Sequence, residues 1–296
     1  MMVNSNIAQP IFLIVNADDY GYFECVSKGV IECAKRKIIS ATGLVANGPN
    51  FTNAVKWLED IPELDVGVHL NITYGAPLTL SMKKCLRSCG GVFKSAMITA
   101  AMIYSKRINV AIIEEEWRAQ IQRCIRAGIA IKFVNSHEHI HMLPVLYDRL
   151  KSIVAAFDIP YVRYTQPEWT ISFDLNSHFR NIVLNTMVMF KDKEQVKNSI
   201  ALIGTGLSCK LNIKYIEACL KRMRPGRVYE LMCHPGYHDS SEIKDRRIAR
   251  YHSWENEFRL LISPSMKRLL KDFNVKLISY NDLANGRIKE SMLLEN

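Results

Sequence analysis

Short apolar runs bounded by polar residues constrain the fold of this chain more than any other feature. Ile11 to Val15 is one such run, and Ala41 to Val45 and Leu64 to Leu70 are predicted as the second and third strands. A strand that lacks apolar–polar alternation is typically buried on both faces, as in parallel sheets. Between the first two strands, Cys25 to Lys37 carries apolar residues at helical spacing. The chain therefore opens with a strand–helix–strand unit of a parallel α/β sheet.

The same alternation continues to the end of the chain. Further helices are predicted over Asn53 to Glu59, Glu114 to Ala127, Pro144 to Ala156, Asp192 to Leu202, Lys214 to Arg222, Trp254 to Leu261 and Ser265 to Phe273, and further strands over Ile129 to Val134, Tyr161 to Tyr164, Arg227 to Cys233 and Val275 to Ser279. No linker or short repeat interrupts them. We therefore expect a single domain whose parallel strands close, or nearly close, into a barrel.

One segment, Leu78 to Val110, departs from this pattern and is interpreted as an excursion that shapes substrate choice. The most apolar window of the chain, Ala96 to Ile113, lies largely within this segment. Lys106 and Arg107 interrupt the window. The window favours a core helix, with an interfacial segment as the alternative. It falls short of the roughly 18 uncharged apolar residues that a transmembrane helix needs.

The charge and the cysteine content of the chain indicate its binding partners and its cellular compartment. The formal net charge is +10, carried by short dispersed basic groups, which favours an anionic surface or ligand. No nucleic-acid motif accompanies them, so no nucleic-acid partner is expected. The eight cysteines lack the spacing of a disulfide framework, and the N-terminus lacks the basic region of a secretory signal. These features indicate reduced thiols in a cytoplasmic protein.

Three of the eight histidines fall within five residues, directly after a predicted buried strand. His137, His139 and His141 would share one face if the extended geometry continued. If a helix began there instead, His137 and His141 would lie one turn apart. Either arrangement offers imidazole nitrogens to a divalent metal ion.

Five residues share a position at or just beyond the C-terminal end of a predicted strand: Asp18, Asp19, His69, His137 and His234. Active sites of parallel α/β folds assemble at that edge. Two neighbouring carboxylates can divide their roles, one as a metal ligand and one as a free base. Two histidines and one carboxylate would leave coordination positions open, as in catalytic metal sites.

Two further side chains are candidates with open alternatives. His234, which precedes Pro-Gly, is a candidate general acid or a histidine packed in a turn. Arg163 could orient a carboxylate, bind an anionic substrate group or lie on the surface. Imidazole ligands suit Zn²⁺, whereas a partly hydrated site could take Mg²⁺ or Mn²⁺.

Four motifs, VNADDYG, VGVHLN, NSHEHIHMLP and MCHPGY, occur in the order seen in YdjC-like carbohydrate deacetylases. The chain resembles this family over nearly its whole length. The resemblance implies a distorted (β/α) barrel, with residues 1–296 forming one catalytic domain. It also implies a metal-dependent hydrolase of linear amide C–N bonds that removes the N-acetyl group from an amino sugar.

Matching the motifs implies a role for each candidate residue. Asp19, His69 and His137 are similar to the ligands of one divalent metal ion, Mg²⁺ or Zn²⁺. Asp18 is similar to the catalytic base, and His234 to the histidine of the family's HPG motif, for which an acid role is expected. Arg163 resembles an arginine that helps to set the base.

The motif around His137 also bears on the substrate. Chitooligosaccharide deacetylases of the family carry Asp-Ser-His and a run of histidines where this chain has Asn135-Ser136-His137-Glu138. The form seen here resembles the branch associated with hopanoid biosynthesis and with lipid-linked amino sugars of the cell envelope, the setting of lipopolysaccharide. The basic surface would suit a polyprenyl-phosphate-linked substrate at the inner face of the cytoplasmic membrane. This interpretation is compatible with peripheral membrane contact and with a homo-oligomer.

Two alternative functions compete with this interpretation. A metal-dependent phosphoesterase of barrel fold would need a second metal ion, held by ligands drawn from His139, His141 and His238. A chitooligosaccharide deacetylase is the second alternative.

Overall fold

A computed structural model of the chain describes residues 9–165 and 200–286. Its eight strands are β1 (Ile11–Tyr20), β2 (Ala41–Leu44), β3 (Asp65–Leu70), β4 (Ile131–Ser136), β5 (Tyr161–Val162), β6 (Ala201–Ile203), β7 (Val228–Cys233) and β8 (Val275–Leu277). They lie in the order β5-β4-β3-β2-β1-β7-β6, and β8 pairs with the first half of β1. Every pairing is parallel. The sheet curls into a half-barrel, which confirms the expected single-domain, distorted (β/α) barrel.

Helices follow most of the strands. They are α1 (Glu24–Lys35), α2 (Phe51–Leu58), α3 (Leu80–Cys85), α4 (Ala96–Tyr104), α5 (Val110–Arg126), α6 (Pro144–Ala156), α7 (Ile213–Leu220), α8 (Arg246–Tyr251), α9 (Trp254–Leu261), α10 (Pro264–Asp272) and α11 (Tyr280–Ala284), with 3₁₀ segments at Arg87–Cys89 and His137–Met142. The predicted bounds of α6 and α9 are confirmed at both ends.

Two predictions of secondary structure were wrong. The helix predicted over Asp192 to Leu202 ends in β6, and the rest of that segment lies outside the described residues. The apolar window after Ala96 does not form a core helix, because α4 exposes Met97 and Tyr104 to solvent. Within the described ranges, no helix is both long enough and apolar enough to cross a bilayer. All eight cysteines are free thiols.

Residues that alternate along the strands fill the concave side of the sheet in two layers. The lower layer is apolar and includes Phe12 and Ile14 of β1, Phe133 of β4 and Val228 of β7. Phe133 stacks on Tyr280 of α11, with ring centroids 4.3 Å apart, so the last helix closes the N-terminal end of the barrel. Because side chains alternate along a strand, the residues two positions further on also face the interior.

The upper layer is polar and lies on those next positions. It comprises Asn16 and Asp18 of β1, His69 of β3, Asn135 of β4, Arg163 after β5 and Glu230 of β7, all of them buried. The sheet therefore presents an apolar floor beneath a polar site at the C-terminal ends of its strands.

A buried carboxylate fixes the loop that follows β3. Glu116 of α5 accepts hydrogen bonds from the backbone N–H groups of Leu78 and Thr79 at 2.9 Å and from the Thr79 hydroxyl at 2.8 Å. Gln120, one turn further along α5, donates to the carbonyl of Asn71 and accepts from its N–H. These contacts hold the loop next to His69.

We expect Glu116→Ala to lower the free energy of unfolding by about 2–4 kcal/mol, because it removes the acceptor of three donors on the half-buried Leu78 and Thr79 and of the buried Gln120 amide. The neighbouring Glu115 is exposed, and Glu115→Ala should change the same quantity by less than about 0.5 kcal/mol. Urea unfolding of both variants measures the difference. Equal losses would show that Glu116 does not anchor the loop.

Candidate active site

A β-bulge in β1 places two successive carboxylates in the site. Ala17 pairs with Thr42 and Tyr20 with Leu44, so Asp18 and Asp19 together oppose a single residue of β2. Asp19 has a left-handed backbone, with φ of 66°. Successive side chains normally alternate between faces, and a bulge re-aims one of them. The first strand was predicted to end at Val15, ahead of the pair, but β1 continues to Tyr20 and includes both residues.

Asp18 forms a buried bidentate ion pair with Arg163. The guanidinium donates to both carboxylate oxygens, at 2.5 and 3.0 Å, and also donates to Glu230 Oε1. Burial raises the pKa of Asp18, but the charge of Arg163, its hydrogen bond and the charges of His69 and His234 together lower the pKa to about 2. The pKa of Arg163 is raised above its usual value, since the attraction of Asp18 and Glu230 exceeds the effect of burial. Both side chains are therefore charged at neutral pH.

Asn135 connects this ion pair to His69. Its amide nitrogen donates to Asp18 Oδ1 at 2.8 Å, and its amide oxygen lies 2.7 Å from His69 Nδ1. An ionised carboxylate only accepts hydrogen bonds, so the amide oxygen must face His69, and Nδ1 must carry a proton. Gly43, opposite the bulge, permits this contact, because a Cβ there would lie 3.2 Å from the Asn135 oxygen. In neutral His69 the lone pair is consequently on Nε2.

That lone pair faces a second acceptor. His69 Nε2 lies 3.2 Å from Asp19 Oδ1 and is a buried nitrogen without a hydrogen-bond partner in the described part of the chain. Two acceptors at this distance repel each other unless a proton or a metal ion lies close to both. Burial raises the pKa of Asp19, but a hydrogen bond from a protonated His69 Nε2 and the charge of His137 lower the pKa well below its ordinary value, so a proton on Nε2 is the alternative to a metal ion. An ionised oxygen and an imidazole lone pair are suitable ligands for a divalent ion.

His137 is the third residue of the predicted ligand set. Its ring makes an edge-on contact with that of His69, with centroids 5.9 Å apart, and its Nδ1 lies 2.6 Å from the Thr73 hydroxyl. Within the described ranges, no group of three His, Cys, Asp or Glu side chains has the geometry of a formed metal site. Metal binding would therefore require small movements of side chains that already lie at the same edge.

The histidine cluster adopts neither of the expected geometries. After His137 the chain turns through two left-handed residues, Glu138 and His139, with φ of 52° and 54°. His141 is buried beneath the site, where its two ring nitrogens contact the Ser136 hydroxyl and the Arg163 carbonyl, at 2.6 and 2.9 Å.

These positions do not gather a second set of metal ligands. His139 Nδ1 lies 3.1 Å from the Thr165 hydroxyl, and both nitrogens of His141 contact other groups. His238 is exposed and does not line the cavity that contains Asp18, Asp19 and His69. The three histidines that would have held a second metal ion therefore do not support the phosphoesterase alternative.

His234 follows β7 at the opposite side of the site. Its backbone N–H donates to the buried carboxylate of Glu257 at 2.6 Å, and its ring Nδ1 lies 3.9 Å from the same oxygen. Burial lowers the pKa of His234, but neighbouring Cys209, Asp19 and Glu257 raise it well above its usual value. A histidine that keeps its proton at neutral pH can serve as a general acid.

One cavity of about 1620 Å³ joins these groups. Asp18, Asp19, His69, His137 and His234 all line it, whereas Arg163 lies behind Asp18, outside the cavity wall. The opposite wall is largely apolar and includes Val92, Phe93, Met97, Ile98 and Met102. The cavity exceeds the roughly 300–1,000 Å³ that is usual for small-molecule sites. It has room for more than a single sugar ring.

Sequence reasoning missed five residues of the site: Cys209, Glu230, Asn135, His252 and Glu257. Glu230 could have been found, because a glutamate within the apolar strand VYELMC requires a buried partner. Asn135 directly precedes the histidine cluster but carries no sign of its bridging role. His252, whose Nε2 lies 3.8 Å from Asp19 Oδ2, comes from a helical segment that the sequence pattern did not predict.

Comparisons with known proteins find relatives over nearly the whole chain. A carbohydrate deacetylase of Brevibacillus brevis is 26% identical over 271 residues, covering 92% of this chain and 99% of the relative. A chitooligosaccharide deacetylase of Yersinia enterocolitica is 27% identical over 272 residues, covering 91% and 98%.

The fold also matches a solved structure. A protein of Enterococcus faecalis, named for cellobiose-phosphate cleavage, superposes with a TM-score of 0.64 at 22% identity, covering 93% of this chain and 99% of that protein. At this identity the match supports the fold alone. The family model described as YdjC-like protein matches residues 12–272. This chain therefore belongs to the YdjC-like family.

Proposed function

We propose that this protein is a metal-dependent hydrolase that removes the N-acetyl group from an amino sugar. The observation that carries the proposal is the opposed pair of acceptors, His69 Nε2 and Asp19 Oδ1, located beside the ionised Asp18. The carbohydrate deacetylases among the relatives support this reaction.

Asp19, His69 and His137 would hold one divalent ion, with Zn²⁺ or Mg²⁺ as the candidates. The ion would supply Lewis-acid polarisation of the acetamide carbonyl and a lowered pKa for the attacking water. Asn135 fixes the His69 tautomer that presents its lone pair, and Thr73 orients His137. Such outer contacts are typical of catalytic metal sites.

Asp18 is the proposed base. A carboxylate has about four acceptor positions, and Asn135 and Arg163 occupy three of those on Asp18. The remaining position, on Oδ2, can accept a proton from water. A base with a pKa near 2 is weak on its own, so its action depends on a water of lowered pKa. Arg163 keeps Asp18 charged and oriented without reaching the substrate.

His234 is the proposed acid on the other side of the scissile bond. It holds a proton at neutral pH and can donate it to the departing amine. Glu257 fixes the backbone of His234 through the 2.6 Å hydrogen bond. The products would be acetate and a free amino sugar.

For the substrate, we favour a lipid-linked amino sugar of the cell envelope, such as a polyprenyl-phosphate-linked sugar. The apolar wall of the cavity and the net charge of +10 support this choice. The protein would then act at the inner face of the cytoplasmic membrane. The Yersinia relative favours a second candidate, a chitooligosaccharide. Acetate release from free and lipid-linked N-acetylated sugars distinguishes the two.

Substitution of Asp19 tests whether its carboxylate binds the metal ion. We expect Asp19→Ala to lower metal content from about one ion per chain to near zero and to abolish acetate release. Elemental analysis and an acetate assay measure the two effects. Asp239→Ala, in an exposed loop, is the control and should match the wild type. Full metal content in Asp19→Ala would contradict the ligand assignment.

Substitution of the base should leave the metal in place. We expect Asp18→Asn to reduce the turnover number at least about a hundredfold, because the amide cannot accept the proton from water. Metal content should remain at the wild-type level, since Asp18 is not a proposed ligand. An active Asp18→Asn enzyme would refute the role of Asp18 as base.

The lowered pKa of Asp18 also predicts a pH dependence of stability. Because the folded-state pKa of about 2 lies below the unfolded value near 3.9, Asp18 stabilises the fold above about pH 4. This contribution, about 2 kcal/mol, is lost as the pH falls through 2.

Urea unfolding of the metal-free protein at pH 5 and pH 2 tests this dependence. Asp18→Asn should show a smaller drop in the free energy of unfolding than the wild type. Asp272→Asn, at an exposed carboxylate, should follow the wild type. Identical drops for all three proteins would show that the ion pair does not set the acid stability.

A further inference from the structure

Helix α4 exposes an apolar face where a helix on a protein surface is normally polar. Met97, Ile98 and Tyr104 are 71%, 51% and 56% exposed, and Ala101 lies exposed among them. Their spacing puts them on one side of the helix, while Thr99, Met102 and Ile103 face the interior. Solvent-exposed apolar residues grouped in this way commonly mark a binding surface.

The chain segment that contains α4 carries charges of one sign. Between Asp65 and Glu114 the chain carries no acidic residue but has six basic ones, Lys83, Lys84, Arg87, Lys94, Lys106 and Arg107. Five of them are exposed, and Lys94 is half-buried. This segment thus carries a net charge of +6, compared with +10 for the whole protein. The Cys85 thiol donates to the Arg107 carbonyl at 3.3 Å, so the basic residues of α3 lie near the end of α4.

The same helix forms a wall of the catalytic cavity. Met97 and Ile98 line the cavity together with Asp19 and His137. The first backbone N–H of α4, at Ala96, donates to the carboxylate of Glu138, which directly follows His137. The exposed apolar face is therefore continuous with the site and fixed in position relative to it.

We propose that α4 and its basic surroundings form a docking surface for an anionic lipid bilayer, so that the mouth of the cavity opens towards the membrane. This inference deepens the proposed function and rests on its lipid-linked substrate. The sugar would reach the polar end of the cavity while the apolar chain stays along Met97 and Ile98. Phosphate groups of the lipid and of the membrane surface would meet the Lys and Arg side chains.

The size of α4 fits this arrangement. Its nine residues extend over only about 14 Å, far less than the roughly 30 Å thickness of the hydrocarbon core. It can therefore lie in the interface with its apolar face inserted and its basic neighbours at the headgroups. Exposed Tyr104 at the end of the helix suits this interfacial position.

Charge argues for a bilayer over the other candidate occupants of this face. A symmetric contact with a second copy would bring two clusters of six cations together without any acid from this segment to offset them. A nucleic acid would neutralise the charge but would leave Met97 and Ile98 against a polar backbone. An anionic membrane satisfies both the cations and the apolar residues.

Sedimentation of the full-length protein with lipid vesicles tests the proposal. The wild type should bind vesicles of phosphatidylcholine and phosphatidylglycerol, and bind weakly or not at all to phosphatidylcholine alone. Replacing Lys83, Lys84 and Arg87 by glutamine should lower the partition coefficient at least about tenfold, because each basic residue near an anionic surface contributes about fivefold. Tyr104→Ser should also weaken binding.

Matched controls lie on other surfaces. Replacement of Lys267, Arg268 and Lys271 of α10 by glutamine makes the same charge change, and Ile125→Ser replaces another exposed apolar side chain. Both should bind like the wild type. Equal losses in control and α4 variants, or no vesicle binding by the wild type, would overturn the proposal. So would a dimer in sedimentation velocity that Tyr104→Ser dissociates, since the face would then bind a second copy.

An assay on a water-soluble N-acetylated sugar separates this inference from the proposed function. Lys83, Lys84 and Arg87 do not line the cavity, so their triple variant should hydrolyse the soluble sugar at the wild-type rate. Hydrolysis without vesicle binding would reject docking and leave the deacetylase in place. Vesicle binding without hydrolysis of any acetylated sugar would instead reject the deacetylase.

Discussion

The buried guanidinium of Arg163 is the interaction on which the site depends. It is shared between Asp18 and Glu230, so that β1, β7 and the end of β5 are joined by one cation. Removing a single partner from such a group is costly, because it leaves an uncompensated buried charge. Negative charges nevertheless outnumber the positive charge of Arg163, since two carboxylates contact the guanidinium and Asp19 is a third carboxylate nearby. The excess negative charge makes the site receptive to a further cation beside Asp19 and His69.

Sequence reasoning located most of the site because its rules follow from the geometry of parallel sheets. The ends of parallel strands meet at one edge, so Asp19, His69 and His234 could be brought together without coordinates. The bulge in β1 could not be predicted, because it depends on the register between β1 and β2. The bridging role of Asn135 was hidden for a similar reason, since its partners lie on two other strands.

The sharp turn after His137 explains why three closely spaced histidines have different environments. Left-handed geometry at Glu138 and His139 breaks the alternation, so His141 lies buried below the site while His137 remains at the cavity. Positive φ at two successive non-glycine residues is strained and persists only where the surroundings hold it. Here Glu138 is held by the N-terminus of α4, and His139 contacts Thr165. The turn thus connects the proposed metal ligand to the surface excursion.

The two ends of the cavity differ in chemistry, and this difference bears on substrate class. Polar, charged side chains converge at the strand ends. Towards α4 the wall includes the apolar residues Val92, Phe93, Met97 and Met102, and the polar side chains of Ser88, Lys94, Ser95 and Arg107 also line the cavity. An apolar chain along Met97 and Met102 would gain from burial, and a phosphate group could contact the basic side chains of Lys94 and Arg107. The proposed lipid-linked substrate would place its amino sugar at the catalytic end of the cavity and its apolar group along this wall.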